Sequence, residues 1–110
     1  MRLPKGDQAI VDPRKVTDYC LNLDHDDGKH KARLFHDLVG LTLENAQLLL
    51  DALQEAARNG EAGAGKLDNY GQRYVIDFAF SGPAGSATIR SAWIIHRGEA
   101  VPRLATCYIL

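Results

Sequence analysis

Arg73-Tyr74-Val75-Ile76-Asp77-Phe78-Ala79-Phe80-Ser81-Gly82-Pro83-Ala84-Gly85 is the stretch that decides the fold of this chain. Tyr74, Ile76, Phe78 and Phe80 alternate with Arg73, Val75, Asp77 and Ala79, the period of a strand with one buried face. Ser81 to Gly85 is a turn, since glycine and proline interrupt both regular structures. The alternation then resumes, with Ala87, Ile89, Ser91, Trp93 and Ile95 on one side and Thr88, Arg90, Ala92, Ile94 and His96 on the other. Two such runs joined by a short turn predict an antiparallel hairpin. Downstream, Arg97 to Pro102 reads as a second turn. Arg103 to Ile109 reads as a last strand, with Leu104, Thr106 and Tyr108 expected on one face. Upstream, Glu61 to Gly71 is expected to hold a short strand before a turn at Asn69-Tyr70-Gly71.

The first half of the chain has helical spacing instead. Asp12-Pro13 is a helix start, with Asp as N-cap and Pro at the first helical position. Val16, Tyr19, Cys20 and Leu23 are the expected apolar side of that short helix. Asn22 to Gly28 is a polar loop, and a second helix runs from about Lys29 to Gly40. Ala32, Leu34, Phe35, Leu38 and Val39 share its expected apolar stripe. Thr42 caps a third helix with the stripe Ala46, Leu49, Leu50, Leu53, Ala56 and Ala57, ended by Asn59-Gly60. The expected fold class is α+β: about three N-terminal helices followed by a three- to four-stranded antiparallel sheet. The helices should cover one sheet face and leave the other open to a ligand or partner.

The 110 residues are enough for a single domain, spanning 1–110, with one core. Thirteen Lys and Arg against 14 Asp and Glu give a net charge of −1, so no global basic field attracts nucleic acid, and any such role needs a local patch. No apolar run is long enough to span a bilayer, and no membrane partner is expected. Cys20 and Cys107 have no metal or redox spacing and are expected to be reduced and buried. The N-terminus lacks a signal-peptide core, so the cytoplasm is the default compartment. Export by a specialised system, or as part of a larger toxin protein, is compatible with the sequence. Oligomeric state is not encoded in any feature of it.

Lys31 is the residue that departs from its pattern, because it falls inside the expected apolar stripe beside Phe35 and Leu38. A bare ammonium there is costly without a partner or a route to water. One reading is that its stem lies along the core while its head reaches solvent. The other is that it is a placed functional cation. The neighbouring Asp24, His25, Asp26, Asp27 and His30 crowd together, yet their spacing fails the calcium-loop template. No zinc helix or paired-cysteine motif accompanies them. No metal and no cofactor are expected. Neither a nucleophile elbow nor a phosphate-binding glycine loop is present. Metal-free RNA cleavage through the 2′-hydroxyl fits the available residue types better. It needs proton-transfer groups, and cations for the developing phosphorane. His25, Lys29 and Lys31 from the helical half, and Arg73, Arg90, Thr106 and Tyr108 from the sheet, could supply these.

A resemblance adds to this list. Tyr19-x-Leu21, His25, Gly28, Lys31-Ala32-Arg33-x-Phe35, Tyr70-Gly71-x-Arg73-Tyr74, Gly82-Pro83-x-Gly85, Trp93 and Pro102-Arg103-Leu104-Ala105-Thr106-x-Tyr108 together resemble a small uncharacterised bacterial domain family. The match runs from about Leu3 to the C-terminus. The closing Leu-x-Thr-x-Tyr strand and the helical lysine also resemble the barnase–EndoU–colicin–RelE-like nuclease superfamily. Its toxin domains place helices before a four-stranded antiparallel sheet and cut RNA without metal. This chain ends Thr106-Cys107-Tyr108-Ile109 where the small family often reads Thr-x-Tyr-Pro.

The resemblance implies a toxin-type, metal-independent endoribonuclease. Its site would comprise His25, Lys31, Arg73, Thr106 and Tyr108. His25 would be acid or base, Lys31 and Arg73 phosphate clamps, and Thr106 and Tyr108 groups that bind or polarise the phosphate. RNA and a cognate inhibitor protein are the implied partners. Two alternatives stand beside it. One is a non-catalytic interaction module of antitoxin or immunity type. The other is a small-ligand-binding domain using the open sheet face, with Trp93 as a wall.

Overall fold

A computed structural model describes all 110 residues. A 3₁₀ turn at Gly6–Gln8 leads to helix α1, Pro13–Lys15, which runs directly into a wide π-helical turn at Val16–Cys20. Helix α2, Lys29–Leu34, likewise continues into a wide turn at Phe35–Val39, and helix α3, Ala46–Asn59, follows a 3₁₀ turn at Leu43–Asn45. Four strands complete the chain: β1, Ala62–Asp68; β2, Gly71–Gly82; β3, Gly85–His96; and β4, Arg103–Ile109. They form one antiparallel meander in the order β1-β2-β3-β4.

The capping signals act as the sequence predicts. Asp12 accepts a hydrogen bond from the Arg14 N–H at 3.0 Å. Thr42 and Asn45 form a reciprocal capping box. Gly40 ends the α2 segment in the left-handed region at φ 74°, where a side chain would be strained.

The core lies between the helices and one sheet face. Val16, Cys20, Phe35, Val39, Leu49 and Leu53 from the helical layer meet Ile76, Ile89, Trp93, Leu104 and Cys107 from the sheet. Trp93 is fully buried there, and its indole N–H donates to Ser91 Oγ, which donates to the Ile76 carbonyl. Trp93 therefore belongs to the covered face, not to a wall of the open one. That open face carries Arg73, Val75 and Asp77 of β2 and Thr88, Arg90 and Ala92 of β3.

Sequence expectations fail in β4, in α2 and at Leu23. Leu104 does not share a face with Thr106 and Tyr108. Leu104 pairs with Trp93 and Thr106 with Ala92, so Ala105 is an extra residue in β4, a bulge that resets the alternation. Leu104, Cys107 and Ile109 thus point into the core, while Thr106 and Tyr108 reach the open side. In α2 the buried line is Gly28, Ala32, Phe35 and Val39, whereas Leu34 and Leu38 are 44% and 47% exposed. Only a narrow stripe contacts the sheet, and Lys31 sits at its border, half-buried. Leu23, expected on the apolar side of the first helix, is also exposed.

Candidate functional site

β4 is an edge strand whose free side is covered by the helical layer and by a single parallel bridge between Ile10 and Arg103. That cover brings Tyr19 and Lys31 against the open-side residues of β4. The Lys31 ammonium donates to Thr106 Oγ1 across a long 3.4 Å. It also lies 5.0 Å from the ring centroid of Tyr19 and 5.3 Å from that of Tyr108. Two aromatic faces and a hydroxyl hold a cation in place more firmly than solvent would. The head of Lys31 is therefore not in bulk water, although its stem runs along the core border.

Tyr19 is positioned by His25 and Gly28. The two rings meet edge to face, with centroids 4.8 Å apart at 74°. His25 Nδ1 accepts the N–H groups of Asp27 and Gly28 at 3.1 and 3.0 Å. In a neutral imidazole that arrangement places the ring proton on Nε2. His25 thereby closes the loop that launches α2 and supports Tyr19. Gly28 approaches the Tyr19 backbone so closely that an added Cβ would stand 2.5 Å from the Tyr19 carbonyl oxygen.

A cleft of about 560 Å³ opens in front of Lys31 and Thr106, within the range of small-ligand sites. Arg14, Lys15 and Lys31 supply its positive charge, and Asp12 and Asp18 its negative charge. Asp12 is engaged by the Arg14 guanidinium, which holds its carboxyl below the usual range. Lys15 and Lys31 have no carboxylate partner within ion-pair distance.

Arg73 is not part of this cluster. It lines an adjoining groove of about 320 Å³ that shares Asp12, Lys15 and Ala105 with the cleft, and it pairs with Asp68 at 3.4 Å. On the other flank Arg90 makes a two-pronged pair with Asp77, both contacts at 2.8 Å. That pairing holds the Asp77 carboxyl below its usual value. It also raises the Arg90 guanidinium, with the Tyr108 phenol as a smaller contribution. Of the five residues implied by the resemblance, Lys31, Thr106 and Tyr108 meet directly. His25 stands one ring away, and Arg73 is in the next groove.

Three residues at or behind the site were not singled out for a functional role by their sequence pattern. Tyr19 read as an ordinary apolar-side residue. Cys20 and Cys107 read as isolated, yet their sulfurs are 3.6 Å apart behind the Lys31–Thr106 contact.

A family model described as a domain of unknown function, DUF6883, matches residues 2–110. The chain belongs to that family. No curated protein sequence matches the chain. Among solved structures, the DUF6883 domain is similar in fold to a chain of a contact-dependent growth inhibition toxin–immunity protein complex from Klebsiella pneumoniae 342. The two are 15% identical with a TM-score of 0.70, and the match covers 92% of this chain and 99% of that one. No helix of the DUF6883 domain is long and apolar enough to cross a membrane.

Proposed function

We propose that the DUF6883 domain is a toxin-type endoribonuclease that cleaves RNA without a metal. The observation that carries this reading is the Lys31 ammonium, held by Tyr19, Tyr108 and Thr106 at the wall of a cleft. In the proposed reaction the RNA 2′-hydroxyl attacks its own phosphorus, the P–O5′ bond breaks, and a 2′,3′-cyclic phosphate and a 5′-hydroxyl result. Lys31 and the Thr106 hydroxyl would face the oxygens on which charge develops. Asp18, the cleft carboxylate not engaged by an arginine, would take the 2′-hydroxyl proton, and solvent water would protonate the departing 5′-oxygen. Tyr108 would orient Lys31 from the side of Arg90. Arg73 would hold a flanking phosphate in the adjoining groove. His25 would act through Tyr19 and the loop, since its Nδ1 is already occupied by two backbone N–H groups. The fold shared with a chain of a toxin–immunity complex supports a place in such a system. The test is cleavage of a labelled RNA in the presence of a chelator by wild type, Lys31→Met and Thr106→Val, with the product ends identified.

A second reading has an observation of its own. Arg14, Arg73, Arg90 and Arg103 are each tied to a carboxylate, so the arginines of the cleft and its flanks are already neutralised and only Lys15 and Lys31 of the cleft lack such a partner. This favours an immunity-like module that binds a protein. Expression of the chain alone separates the two. Toxicity relieved by a neighbouring gene supports the nuclease, and protection against a toxin supports the module.

A further inference from the structure

Cys20 closes the first helical segment and Cys107 lies in the middle of β4, 87 residues away. Both are fully buried, with their sulfurs 3.6 Å apart, and the Cys20 thiol also reaches the Cys107 carbonyl at 3.5 Å. A disulfide needs about 2.05 Å, so closing the gap takes about 1.5 Å of combined side-chain movement. The neighbours of these residues give the contact its interest. Tyr19 precedes Cys20, and Thr106 and Tyr108 flank Cys107 on the opposite side of the strand. The residues that surround the Lys31 ammonium are thus carried by the two backbones that the cysteines join.

We propose that Cys20 and Cys107 are a redox pair that closes to a disulfide and fastens the Tyr19 side of the cleft to the Thr106–Tyr108 side. Cys20 is the attacking sulfur. Its thiol is pulled down to about 7, chiefly by the hydrogen bond from Cys107, with smaller contributions from the Lys31 charge and the Thr106 hydroxyl working against burial. The Cys107 thiol is pushed up by Cys20 and by burial. A small oxidant of the peroxide class suits a pair closed to larger reagents. The Cys20 thiolate attacks one peroxide oxygen, the O–O bond breaks, and the departing hydroxide leaves as water after protonation. The Cys107 sulfur then attacks the Cys20 sulfenic sulfur. The S–O bond breaks, and the hydroxyl leaves with the Cys107 proton as a second water. Two thiols and one peroxide give one disulfide and two waters.

The proposal is independent of RNA cleavage. Its test is to treat the folded chain with hydrogen peroxide, unfold it in an alkylating agent, and measure mass and melting temperature. The expected product is a monomer lighter by two hydrogens that takes up no alkyl group. Because the bond closes most of the chain into a loop, its melting temperature should rise by roughly 10 °C or more, and dithiothreitol should reverse this. Two alkylated thiols, oxygen added to either sulfur, a crosslinked dimer, or a disulfide that leaves the melting temperature unchanged would each overturn it.

Discussion

Replacing Gly28 by alanine should move Lys31 away from Thr106 without touching either residue. Gly28 sits at φ −93° and ψ −13°, a conformation open to any residue, so backbone strain is not the reason for glycine here. The reason is space. The new Cβ would stand 2.5 Å from the Tyr19 carbonyl oxygen, whereas ordinary contact begins at 3.4 Å. The obstacle is backbone on both sides, so α2 and the Tyr19 segment must part by about 0.9 Å, the difference between those distances. The Lys31–Thr106 approach is already long at 3.4 Å and would open past hydrogen-bond range. Overpacking of this kind costs about 1–3 kcal/mol, which lowers the melting temperature of a domain of this size by very roughly 4–20 °C. Urea unfolding followed by fluorescence of the buried Trp93 measures the stability, and cleavage of a labelled RNA measures the site. Gly63→Ala is the control, because a Cβ there meets nothing within 4 Å. If Gly28→Ala unfolds at the wild-type midpoint, the close approach is not holding α2 in place. If it is destabilised yet cleaves RNA at the wild-type rate, the link from Gly28 to Lys31 fails.

Other expectations concern the sheet. Ser91→Ala leaves the Trp93 indole N–H without its acceptor and the Ile76 carbonyl without its donor. It should cost about 1–3 kcal/mol in urea unfolding, and an unchanged midpoint would show that the chain re-pairs these groups. Asp77 has a folded-state carboxyl below its unfolded value near 3.8 because of Arg90. In that range the unfolded chain binds more protons, so stability rises with pH, is complete above about pH 5, and is lost as pH falls through the folded value. Asp77→Asn should therefore weaken the fold slightly at pH 7, by less than about 1 kcal/mol for so exposed a pair, and flatten the loss between neutral pH and pH 3. An equal acid loss in both proteins would assign it to other carboxylates.

The parts of the fold that were legible in the sequence are those governed by local rules. Tyr74, Ile76 and Phe80 were placed on the core face by a period of two, and Leu49, Leu53 and Ala56 by a period of 3.6. Asp12, Thr42 and Gly40 mark helix ends through chemistry that acts within a few residues. The face of Thr106 and Tyr108 was not legible, because alternation read from Leu104 crosses the Ala105 bulge, and no residue type announces an extra residue in a strand. Lys31 stood out because a cation had intruded on an apolar pattern. Thr106 and Tyr108 entered through the resemblance, whereas Tyr19 did not read as a partner of Lys31, since it and Thr106 converge on that ammonium only when the helical layer covers the edge of β4. The contact between Cys20 and Cys107 is of the same long-range kind. Arg73 was expected among the phosphate clamps, and its pairing with Asp68 across the β1–β2 turn sets it in the next groove.

The most direct measurement of the central claim is the rate at which the pure chain cuts single-stranded RNA in a chelator, with Lys31→Met and Thr106→Val beside it. The expected products end in 2′,3′-cyclic phosphate. The expected loss is about 100-fold or more for Lys31→Met, the scale seen when one preorganised charge-stabilising group is removed, and smaller for Thr106→Val, with all three proteins folded by circular dichroism. No cleavage by wild type, or equal cleavage by all three, would contradict the claim.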